Sequence, residues 1–186
     1  MDFHNYLSCF GVVAKADNCT TAECSSYAPR QEVVGIATRI RNIPMKKNYI
    51  CQNMFLDVSA TTLPSWMCQI AERAANAGLI SRERTSFEPL MLASRAEAYS
   101  TLLASICIDT SSESIDGFSG KNIDAWQKKV IRSAIRNGFT TRTESNFNPA
   151  RPMKMEELYA LTTRIIQHAE NHPTCAPIIP EVMCEQ

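Results

Sequence analysis

The residues with the most chemistry of their own are three histidines and eight cysteines. His168 and His172 stand four apart, the spacing that puts two imidazoles on one helix face where they could chelate a metal. Pro173 follows at once and no third ligand is evident, so the pair reads as surface histidines at a helix terminus, where the dipole favours a cation. His4 lies near the other end of the chain and has no evident nucleophilic partner. No nucleophile elbow, phosphate-cradling loop, dinucleotide turn or zinc-protease motif occurs. The expectation is a protein without a catalytic site, a metal or a cofactor.

The cysteines point elsewhere. Cys9, Cys19, Cys24, Cys51, Cys68, Cys107, Cys175 and Cys184 form an even set with no C-x-x-C pair. With so few histidines a zinc site is poorly supplied, and a disulfide framework in an oxidising compartment fits better than reduced structural thiols. Eight cysteines allow 105 pairings, so most of the connectivity stays open. A Cys51–Cys68 bond would tie the entry of one helical unit to its first helix, and Cys175 with Cys184 would close the tail.

These residues are positioned by helices. The stretch from Phe55 to Cys107 reads as one helix-loop-helix unit. Its first helix is predicted from Ser65-Trp66, with Ile70, Ala74 and Ala77 as an apolar stripe and Gly78 as a left-handed stop. A polar loop closes with Phe87-Glu88-Pro89. The second helix starts at Ser94, with Glu97 returning a bond to the Ser94 amide as a capping box. Tyr99, Leu102, Leu103 and Ile106 supply its buried face. Sixty residues on, Trp66, Gly78, Phe87, Pro89, Glu97, Tyr99 and Ile106 recur without a gap as Trp126, Gly138, Phe147, Pro149, Glu157, Tyr159 and Ile166, and Arg82 returns as Arg142. That register marks an internal repeat.

The pattern Phe55-Leu56-Asp57-Val58, then Trp66 before a helix ending in Gly78-Leu79-Ile80, then Ser94-Arg95-Ala96-Glu97, resembles the S-layer homology domain. In that family the last motif is Thr-Arg-Ala-Glu, and such units usually come in threes. Residues 55–107 match closely. Residues 108–170 keep the frame after a Ser/Gly-rich connection, but Lys154-Met155-Glu156-Glu157 stands in place of the motif and the opening has drifted to Ile115-Asp116-Gly117-Phe118. Residues 1–43 read as a shortened first unit. Phe3, Tyr6, Phe10, Val13 and Ala14 would face its opening helix inward. Pro29-Arg30-Gln31-Glu32 would begin its second helix, with Pro29 in the first turn and Val33, Ile36, Ala37 and Ile40 buried. Residues 44–54 form a linker carrying Lys46, Lys47 and Tyr49, and residues 171–186 a proline-rich strap that cannot be helical through most of its length.

The resemblance implies a mostly α-helical fold of three helix-loop-helix repeats about a pseudo-threefold axis, here braced by disulfides. It also implies grooves between repeats that bind an anionic, often pyruvylated, cell-wall polysaccharide. By that likeness Arg30 and Arg95 would be the main anion contacts, since a guanidinium fork binds carboxylate in two places. Arg95 would stand in the first turn of its helix, where unpaired amides favour an anion. An ion pair with an acid such as Glu32 or Glu97 is the alternative role for either arginine. Trp66 and Trp126 would line or support the grooves, and Lys154 would only partly replace the arginine missing at Met155.

Composition narrows the partners. Lys plus Arg and Asp plus Glu number 19 each, so no net field draws nucleic acid or an anionic membrane. No run of eighteen apolar residues exists, which excludes a conventional membrane-spanning helix. The opening residues lack a basic region and a long apolar core, so they do not read as a signal peptide, whereas the cysteines argue for export. The expected role is attachment to the cell surface, or assembly with other surface-layer subunits in a layer or appendage. The alternative is a disulfide-braced scaffold for protein partners without glycan binding.

Overall fold

The computed structural model describes residues 25–59, 61, 65–119, 122–172 and 175. The opening helix expected around Phe3 to Ala14, and with it His4, Cys9, Cys19, Cys24 and Cys184, lies outside the described residues. Within them are five α-helices and no β-strand: α1 (Arg30–Ile40), α2 (Ser65–Asn76), α3 (Arg95–Ser105), α4 (Ala125–Arg136) and α5 (Met155–Asn171). Three of these, α1, α3 and α5, pack against one another; α2 lies on α1, and α4 on α3. The first helices of the second and third units therefore each cover the second helix of the unit before.

The core follows from the apolar spacing. Val33, Ile36, Ala37 and Ile40 of α1, Leu102 and Leu103 of α3, and Leu158, Leu161, Ile165 and Ile166 of α5 are all buried. Hydroxyls in the same helices are satisfied locally: Ser105 donates to the Leu102 carbonyl and Thr162 to that of Leu158. The stripe expected on α2 is rotated slightly. Ala74 is buried, but Ala77 is exposed and Ile70 only half-buried, because Met67, Cys68, Ala71 and Ala75 take the inward face.

The repeated landmarks do matching work. Gly78 and Gly138 both adopt φ +73° just past α2 and α4. The following amides, those of Leu79 and Phe139, reach back to the Ala74 and Ala134 carbonyls. Phe87 and Phe147 are both fully buried. Ser94 and Glu97 close the expected capping box on α3.

A ring of backbone hydrogen bonds joins the starts of α1, α3 and α5. The Ala93 amide donates to the Ala28 carbonyl, Met153 to Ala93, and Ala28 to Met153, at 2.8–2.9 Å. Outside that ring, the first amides of each helix find carbonyls in another unit. Arg30 and Gln31 donate to Met91 and Pro89, Arg95 and Ala96 to Arg151 and Pro149, and Met155 to Ser26. Pro29 therefore sits at the N-cap, one residue before the first turn where it was expected. It caps nothing with its side chain, and the α1 amides are satisfied by the second unit instead.

The segments entering α2 and α4 are held by opposite charges in equivalent places. Glu72, fully buried, accepts from the Tyr49 hydroxyl and the Gln52 and Met54 amides. Burial and the Glu72 carboxylate push the Tyr49 hydroxyl up to about 12. Sixty residues on, Arg132 donates to the Ser114 and Asp116 carbonyls and to Glu144.

Cys51 and Cys68 are joined, as expected. The expected Cys175–Cys184 bond is not formed, because Cys175 bonds to Cys107 instead. The turn at the end of α3, where Cys107 takes φ +60°, meets the chain emerging from α5. This link fastens Cys175 to the end of α3. Replacing Cys51 and Cys68 together by serine should cost roughly 3 kcal/mol by opening a loop of 17 residues. Denaturant unfolding with and without the pair measures this, and no change in midpoint would contradict it.

Candidate functional site

The seams between units contain the two motif arginines. Arg95 extends from the first turn of α3 into the third unit and is 2% exposed. Its guanidinium donates to the Phe147 carbonyl and to Glu157 Oε1, each at 2.6 Å, and lies 5.8 Å from the Phe147 ring centroid. Arg30, 7% exposed, makes the corresponding reach into the second unit. It donates to the Phe87 carbonyl and Glu88 at 2.8 Å and to Glu97 at 3.2 Å.

Both arginines thus stand between units. Their donors are committed to protein acceptors rather than open to a ligand. The ion-pair alternative fits this geometry with one change: the acid comes from the next unit. Glu97 serves Arg30 while capping its own helix, and Glu157 serves Arg95. The equivalent position in the third unit is Met155, which has no charge to send across.

The acids respond to this crowding. Desolvation pushes Glu97 and Glu157 upward. The Ser94 amide, Arg30 and Arg84 outweigh it at Glu97, and Arg95, the Lys154 amide and Arg151 outweigh it at Glu157, so both carboxyls end below the ordinary range. Burial also draws Arg95 down, against the pull of Glu157. An arginine stays protonated at any accessible pH, so the carboxylate shifts are the ones with consequences for stability.

Between the first two units lies a cleft of about 480 Å³. One wall is α1, with Arg30, Val33 and Val34. The other is α3 and the loop after α2, with Leu79, Ser81, Arg84, Glu97, Ser100 and Thr101. Trp126, 44% exposed at the start of α4, stands at its edge with Asp109 and Thr110. Arg84 is bound to Glu97 at 2.8 Å, and its side chain is 44% exposed.

The other expected site residues fall apart from this cleft. Trp66 is about half exposed on α2 and does not line it. Lys154 is the N-cap of α5, with its ammonium 3.3 Å from Glu156. Tyr49 is turned onto Glu72, away from any surface that it would form with Lys46 and Lys47. His168 and His172 line a shallow depression beside Phe139, with ring centroids 4.7 Å apart. No group of three metal-ligating side chains occurs among the described residues. The sequence reading missed Arg84; the change from Arg84 to Glu144 across the repeat was its available signal.

Neither a protein-family model nor a curated protein sequence matches the chain.

Two outcomes test the seam. Glu97 and Glu157 have depressed pKa values when folded, so they add stability above the unfolded value of about 4.3 and lose it as pH falls through their folded values. Urea unfolding at pH 6 and pH 3 should show a smaller acid loss in the Glu97→Gln/Glu157→Gln variant than in the wild type; equal losses would contradict the assignment.

The second outcome concerns the third seam. Pro29 has no N–H, so Glu32 cannot close a capping box as Glu97 does. Replacing Met155 by arginine should bring a guanidinium to Glu32, by the correspondence with Arg30–Glu97 and Arg95–Glu157. Thermal unfolding should rise, by about 1 kcal/mol, and fail to rise when Glu32→Gln is added.

Proposed function

We propose that the chain is a non-catalytic cell-envelope module that attaches to anionic cell-wall polysaccharide. In this reading its three units are S-layer-homology-like repeats about a pseudo-threefold axis. The ring of hydrogen bonds at the starts of α1, α3 and α5 supports that arrangement. Two disulfides at bonding distance fit an oxidising compartment, such as the cell surface. Among the described residues no helix is long and apolar enough to cross a membrane.

The observation that carries the reading is the cleft between the first two units. It is lined by an exposed indole, Trp126, together with two arginines, two carboxylates and several hydroxyls. A sugar offers an apolar face to stack on such a ring and hydroxyls to exchange with the polar groups, and an acidic substituent would meet the guanidinium. Cosedimentation with purified wall sacculi tests this. The protein should pellet with pyruvylated sacculi and largely stay in solution once the pyruvyl groups are removed; equal partitioning, or none, would contradict an anion-directed role.

A second reading has its own observation. Tyr27, Leu90, Met91 and Leu92, on or beside the ring segments, are 44–73% exposed. Such apolar exposure favours a protein partner, other surface-layer subunits included. In that role the repeats are scaffold, and sacculi should not retain the protein.

A further inference from the structure

Each seam is an internal control for the other, because α1 corresponds to α3, and the second unit to the third, residue by residue. At the first seam, Val33 and Val34 of α1 face the cleft. At the second seam the same places on α3 hold Ala98 and Tyr99. The Tyr99 ring packs edge-on against Phe147, with centroids 5.0 Å apart, and its hydroxyl reaches the Phe139 carbonyl at 3.5 Å. Phe139 itself replaces Leu79. A tyrosine and a phenylalanine therefore fill the second seam where a valine and a leucine leave the first one open.

Charge differs in the same direction. Arg84 of the first seam corresponds to Glu144, which is turned onto the Ser119 amide and Arg132. Among the described residues, the cations that line the first cleft are Arg30 and Arg84. The Arg30 guanidinium is spent on Phe87, Glu88, Met91 and Glu97. Arg84 donates to Glu97 with one of a guanidinium's five donors, and its side chain, 44% exposed, lines the cleft.

We propose that the chain binds one carboxylate-bearing sugar, at the first seam, and that Arg84 rather than either motif arginine makes the anion contact, with Trp126 as the stacking surface. This rests on the carbohydrate reading above and adds the residue and the seam. Arg30 and Glu97 act as positioning residues: Glu97 aims Arg84, and Arg30 balances the charge of Glu97.

Isothermal titration of the full chain, disulfides intact, with a pyruvylated wall oligosaccharide and with the same oligosaccharide after removal of its pyruvyl group tests the assignment. The expected stoichiometry is one per chain. Arg84→Gln should weaken the pyruvylated ligand about tenfold or more and leave the weaker, pyruvyl-free ligand unchanged. Val34→Tyr, which copies the residue already accommodated at the second seam, should abolish both while the variant keeps its thermal midpoint. Wild-type binding that survives both substitutions, or two sites per chain, would overturn the assignment and leave the carbohydrate reading standing. No binding of either oligosaccharide to the wild type would overturn both.

Discussion

A guanidinium taken out of water must be met by acceptors, and for Arg95 all of the acceptors shown lie in the next unit. Desolvating such a charge costs several kcal/mol unless good hydrogen bonds replace the lost hydration. The Phe147 carbonyl and Glu157 supply them, with the Phe147 ring alongside. The second unit therefore cannot bury its own motif arginine without docking on the third. Arg30 imposes the same requirement on the first and second units, somewhat less severely because Glu88 is half exposed. Stability and docking become one event.

The backbone repeats this logic without charge. A helix start leaves amides unpaired, and here they are paired across seams, through Met91, Pro89, Arg151, Pro149 and Ser26. That is why α1 tolerates a proline at its N-cap. It also explains why the capping glutamates are well placed for a second task. The helix start that each one caps lies against the preceding unit's arginine, so one carboxylate can serve its own Ser94 or Lys154 amide and a neighbour's guanidinium. A cleft remains between the first two units, where Val34 stands at the place that Tyr99 fills in the next seam.

Much of this was legible in the sequence, and what was not has physical reasons. Gly78 and Gly138, Phe87 and Phe147, and the Ser94–Glu97 box depend on local geometry, so a sixty-residue register located them. The arginines were legible by position but not by state, because their acceptors are carbonyls and acids more than fifty residues away. Glu72 and Arg132 look unrelated as letters, yet each anchors its entry segment, one by accepting from amides and the other by donating to carbonyls. Cys175 was assigned to its nearest neighbour in sequence; the fold brings the end of α3 to it instead. Arg142 matches Arg82 in register and differs in use. Arg82 covers the end of α2 through the Ala75 and Asn76 carbonyls, while Arg142 faces Glu157.

Arg95 and Glu157 stabilise the fold jointly, across a seam. A double-mutant cycle with Arg95→Met and Glu157→Gln, read by urea unfolding at pH 7, measures that directly. Methionine keeps most of the buried volume, and glutamine keeps an acceptor for the Lys154 amide. A coupling energy of about 1.5–3 kcal/mol between the two positions is expected. Additivity to within about 0.5 kcal/mol would contradict it, since the two side chains would then contribute independently and the seam would be held by packing and backbone bonds alone.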